Sequence, residues 1–250
     1  MKKIYALGLL FIAFNLVQAQ DKSFQLGFQL SPNISWISPD SEGLENEGSK
    51  FGFSYGIIAD FNIAENYSIS TGFTLLNSGG KINYPDRQSI DVVDPNNSNT
   101  TIKQEFGGRT DADIRLKYIQ IPFTIKLKTN EIGYMKYFGQ FGVGTAFNID
   151  AVAEEEFSYP GGNGTIKNED VDYKDEISLF RASLLMGIGA EYNVSGNTSI
   201  MFGINFDNGF LNILSEDIYK EDDNGNGEGG RSESFKAINN SIILNFGILF

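Results

Sequence analysis

Ile119-Gln120-Ile121-Pro122-Phe123-Thr124-Ile125-Lys126-Leu127 is the stretch that sets the fold class. Its odd positions are large and apolar, and its even positions are Gln, Pro, Thr and Lys. Successive side chains on a β-strand point to opposite faces, so a period of two marks a strand with one apolar face. The same alternation recurs outward from this stretch. Before it come residues 24–30, 51–63 and 67–75; after it come 137–149, 180–192, 200–206 and 242–250. Eight such segments predict an all-β chain.

A soluble sandwich also alternates, its apolar side chains facing a core. Three features favour lipid as the neighbour of the apolar face. First, the opposite face is rich in glycine and small polar residues, with Gly52, Gly56, Gly72, Gly142, Gly144, Gly187, Gly189, Gly203 and Gly247 recurring on it. Glycine weakens strands, but a narrow eight-stranded interior leaves inward side chains little cross-section to share. Second, the connections alternate in length. Those near residues 64–66, 128–134 and 194–197 are short, and those over 32–50, 77–113, 150–176 and 208–236 are long. Outer-membrane barrels place short turns in the periplasm and long loops outside. Third, the last strand is apolar and ends at Phe250, and Phe51, Tyr67, Tyr137 and Tyr192 sit at segment ends, where aromatic girdles lie. The expected fold is an eight-stranded antiparallel up-and-down transmembrane β-barrel with short periplasmic turns and long external loops.

The N-terminus reads as an export signal. Lys2 and Lys3 precede an apolar run over residues 4–17, and Val17-Gln18-Ala19 supplies a signal-peptidase site. The run is too short for a bilayer-spanning helix of about 20 residues. The reading is therefore a signal peptide over residues 1–19 and a barrel domain over 20–250, delivered to the outer membrane. The 250-residue chain carries a net charge of −13, with 28 Gly, 6 Pro, 21 Phe, 11 Tyr and 1 Trp. Many aromatics and glycines with few prolines suit a β-rich chain better than a disordered one.

Tyr118-Ile119-Gln120-Ile121-Pro122-Phe123 resembles the mid-chain strand of the PorT-like outer-membrane β-barrel family. Residues 137–144, 186–192 and 245–250 are similar to its glycine-rich and terminal strands. The resemblance implies an eight-stranded outer-membrane barrel. The family's founding member is linked to protein secretion across the outer membrane, while most relatives have no defined role. Pro122 has no N–H and removes a ladder bond, so mid-strand it is read as a bulge that helps curve the wall, with a lateral weak point as the alternative.

Cysteine and histidine are both absent. That removes thiolate metal sites, disulfides, the commonest metal ligand and every Ser-His or Cys-His nucleophile pair, so the chain is read as non-enzymatic. Asp60, Lys126, Arg181, Glu191 and Asp207 fall on the inward phase. Unpaired charges in a water-poor lumen are costly, so these five are expected to pair into a polar plug. The long connections are acidic, which disfavours nucleic acid as a partner and leaves divalent cations as candidates. Asp222, Asn224, Asn226, Glu228 and Glu233 fit the spacing of a calcium loop, with Gly227 at the turn position, although helical flanks are missing. Residues 159–164 read as turn chemistry. The functional expectation is a structural or interaction barrel that displays acidic external loops, with membrane lipid and other envelope proteins as partners. The alternatives are an accessory of an export assembly and a narrow channel.

Overall fold

The structure is a computed structural model that describes residues 24–94, 97–159, 164–215 and 235–250. The expected signal peptide at residues 1–19 lies outside them. Nine antiparallel strands form a single sheet: β1 (Phe24–Pro39), β2 (Glu45–Ala64), β3 (Tyr67–Asp94), β4 (Asn97–Lys128), β5 (Met135–Ser158), β6 (Thr165–Asp172), β7 (Phe180–Ser195), β8 (Thr198–Gly209) and β9 (Ala237–Leu249). Strand β4 bonds to β5 as well as to β3, and β9 bonds to β1. The pairings therefore run β1–β2–β3–β4–β5–β7–β8–β9 and return to β1, a closed ring of eight strands. The count expected from the periodicity is eight, and the described residues form nine. The added strand, β6, folds back on the upper half of β5 and lies inside a segment expected to be loop.

The turns at one end are as short as the spacing predicts. Residues 65–66 join β2 to β3, and residues 196–197 join β7 to β8. Gly196 takes a φ of 55°, a left-handed conformation that costs glycine little. Leu26 and Phe250 exchange backbone bonds of 3.1 and 2.7 Å, so β1 begins and β9 ends at this same end.

The other end corrects the sequence reading. Residues 32–50, 77–113 and 150–176 were expected to be loops, yet most of them continue the strands: β3 has 28 residues and β4 has 32. Strand β4 shows why the pattern misleads. Its outward face carries Ile119, Ile121, Phe123, Ile125 and Leu127, then changes at Lys117 to Lys117, Arg115, Asp113, Asp111 and Arg109. Its inward face changes at the same level, from Lys126, Thr124 and Gln120 to Tyr118, Leu116, Ile114 and Ala112. The strand keeps its period of two while both faces exchange polarity. The lower ring is polar inside and apolar outside; the upper part, here called the cap, has the ordinary apolar core of a protein in water. That core gathers Ile37, Leu76, Ile82, Ile114, Leu116 and Tyr118 with Ile177, Ile213 and Leu214 from the connections.

Pro122 does not form the expected bulge. Thr71 lies opposite Phe123 and Thr74 opposite Gln120 in unbroken register, and the two rungs between them are missing. A proline cannot donate to those rungs, and the Thr71 hydroxyl instead donates to the Pro122 carbonyl at 2.8 Å. The bulge lies higher, where Lys117 faces Asp150 and Tyr118 faces Asn148, at the level of the polarity exchange.

Candidate functional site

The lumen of the lower ring is crossed by two layers of buried charge. In the layer nearer the short turns, Lys126 Nζ lies 2.6 Å from Asp60 Oδ2 and 3.4 Å from Glu191 Oε1. Lys128 Nζ lies 3.0 Å from Glu191 Oε2 and 3.5 Å from Asp60 Oδ2. Two cations and two carboxylates thus form a neutral square, joined by the Ser70 hydroxyl, which donates to Asp60. Lys126 also sits 4.8 Å from the centroid of the Phe138 ring.

In the layer nearer the cap, Arg181 Nη2 donates to Asp207 Oδ1 at 2.6 Å and to the Asn239 carbonyl at 2.8 Å. Gln120 Nε2 donates to Asp207 Oδ2 at 2.8 Å. The Tyr118 ring lies 5.9 Å from the guanidinium carbon. Buried charges persist only when paired and hydrogen-bonded, and both layers meet that condition. Between them is a cavity of about 70 Å³ lined by Gln29, Ser31, Ser70, Gln120, Lys126 and Asn245 among others, room for a few waters rather than a pore.

The five charges singled out on the inward phase therefore fall into two groups: Asp60, Lys126 and Glu191 in one, Arg181 and Asp207 in the other. Sequence reasoning missed Lys128, Gln120, Asn239 and Tyr118. Lys128 was findable, because it stands two residues from Lys126 and shares its face. Asn239 was not, because it serves Arg181 through its backbone. The candidate calcium residues Asp222, Asn224, Asn226, Glu228 and Glu233 lie outside the described residues, and among the described residues no cluster of metal-ligating side chains is gathered.

The outward face of the cap carries a ladder of ion pairs between strands. Asp113 accepts from Lys50 and lies 3.3 Å from Lys81; Arg115 reaches Glu154 at 3.0 Å and Asp170 at 2.6 Å; Asp150 lies 3.1 Å from Lys117 and 3.7 Å from Lys174. Partial burial pushes the Asp113 carboxyl up, but Lys50 and Lys81 outweigh it and hold it below the usual carboxylate range. The hydrogen bond from Lys117 holds Asp150 low as well. Glu176 goes the other way, raised by burial and by Asp175, Asp172 and Glu155.

Several solved structures resemble the chain over most of its length. Neisserial surface protein A matches over 91% of this chain and 96% of its own at 12% identity, with a TM-score of 0.43. OprG of Pseudomonas aeruginosa matches over 91% and 95% at 10% identity and a TM-score of 0.42, and Ail of Yersinia pestis over 90% and 98% at 13% and 0.34. No curated protein matches significantly. The family described as outer membrane protein beta-barrel domain matches residues 18–215. This chain belongs to that family of outer-membrane β-barrels.

Proposed function

We propose that the chain crosses the outer membrane as an eight-stranded up-and-down barrel, short turns in the periplasm and cap outside, and serves as a non-enzymatic structural or interaction protein. One observation carries this reading: among the described residues, 38 large hydrophobic side chains are exposed while Asp60, Lys126, Lys128, Arg181, Glu191 and Asp207 are buried. Soluble proteins expose large apolar groups singly or in small patches, and a continuous outward band is stable only against lipid. The apolar stretch of β4, from Ile119 to Leu127, matches the length of a tilted membrane strand, about 9–11 residues.

The absence of histidine and cysteine and the mutual pairing of the lumen charges support the non-enzymatic part. The cap supports display. It is built on strand extensions and presents Lys167, Lys174, Glu154 and Asp170 to the outside. Trypsin or an amine-reactive label applied to intact cells should modify Lys167 and Lys174; failure to reach either from outside would sink the display reading. The mature chain should begin at Gln20, which N-terminal sequencing reads directly. An accessory role in export draws on the resemblance at residues 118–123, and unchanged secretion in a deletion strain would end it.

A further inference from the structure

We infer that the rim where the apolar band of β2–β5 meets the cap binds an anionic lipid phosphate of the outer leaflet. This rests on the membrane reading above. Immediately beyond Ile119 on the outward face of β4 come Lys117 and Arg115, with Lys81 on β3, Lys50 on β2 and Lys174 after β6 beside them. Lys81, Arg115, Lys117 and Lys174 are about half exposed. Their ion-pair partners are Asp113, Asp150, Glu154 and Asp170, with Asp172 also accepting from the Lys174 backbone N–H, so the cations are gathered at this rim in a chain whose net charge is −13. Elsewhere beyond the band, Lys236 is the only other cation outside the β2–β6 flank among residues whose side chains are described.

Two features suit this rim to a lipid headgroup. The cations nearest the band keep donors in reserve: Lys117 gives one contact to Asp150 and Arg115 one each to Glu154 and Asp170, fewer than an ammonium or guanidinium can make. The acyl chains below such a phosphate would lie on half-buried Ile119 and on exposed Ile121 and Phe123, so one ligand would satisfy both surfaces. Basic residues beside a bilayer attract anionic headgroups, each worth about fivefold in affinity at most.

The test is native mass spectrometry of the detergent-solubilised barrel with an equimolar mixture of phosphatidylglycerol and phosphatidylcholine. The wild type should carry phosphatidylglycerol in several-fold preference. Lys117→Gln and Arg115→Gln should each lower that preference about two- to fivefold, while Lys136→Gln at the opposite rim leaves it unchanged. Excess inorganic phosphate should not displace the lipid. Equal adducts in the wild type, retained preference in the double variant, or displacement by phosphate would each overturn the assignment. Insertion of every variant into pure phosphatidylcholine vesicles is the separate check on the barrel reading. A chain that inserts there without preferring the anionic lipid loses only this inference.

Discussion

Arg181 shows how much one buried residue can hold. Its guanidinium bridges Asp207 and the Asn239 carbonyl deep in the lumen, with Gln120 completing the carboxylate's partners. Removing it strands Asp207 in a site water does not reach. Arg181→Met should destabilise the barrel by about 3–5 kcal/mol in urea unfolding from vesicles, and Arg181→Met with Asp207→Leu should recover most of that loss. The lower layer should respond in the same direction, since losing either lysine leaves two buried carboxylates to one cation. Lys126 and Lys128 both touch Asp60 and Glu191, so the remaining lysine bonds both carboxylates without neutralising them.

Strand β4 is one extended segment in two surroundings, and its outward positions should tolerate charge differently along its length. Phe123→Arg places a cation on the lipid face and should cost about 2–4 kcal/mol. Asp111→Arg, on the same face of the same strand but within the cap, should stay within about 0.5 kcal/mol. Equal costs at the two positions would place the polarity boundary elsewhere. The cap ladder also sets a pH dependence. Asp113 and Asp150 have folded values below their unfolded ones. Their pairs therefore stabilise above the unfolded value, about pH 4, and that contribution is lost as pH falls through the folded values. Glu176, raised in the fold, opposes this, since its strain is relieved on protonation. Limited proteolysis should show the cap loosening below about pH 4, modestly and more so in low salt, because exposed pairs contribute about 0–1 kcal/mol each.

At the scale of the whole molecule, two neutral ionic layers and an apolar cap core lie in series along the axis of the ring. Only a cavity of about 70 Å³ separates the layers. An ion entering would have to displace paired charges and then cross an apolar plug, and an eight-stranded interior is filled by side chains in any case. Planar-bilayer recordings of the wild type should show no resolvable conductance steps at any voltage. Regular stepwise openings would contradict the paired lumen and favour the narrow channel.

The sequence alone determined the strands of the lower ring and their alternation, with large apolar side chains on one face and Asp60, Lys126, Arg181, Glu191 and Asp207 on the other. Alternation is a local property, and the one-sided apolar runs over residues 119–127 and 242–250 leave it unambiguous. Three things were decided only by the tertiary structure. Cap strands such as residues 109–117 put charge outward and apolar groups inward, which reads as loop until the cap core that buries Ile114 and Leu116 is known. The ninth strand exists because β5 offers it an edge. The division of five charges into two layers, and the recruitment of Lys128, Gln120 and the Asn239 carbonyl, depend on which strands the closed ring sets opposite one another, and strand order across a lumen leaves no mark on local periodicity.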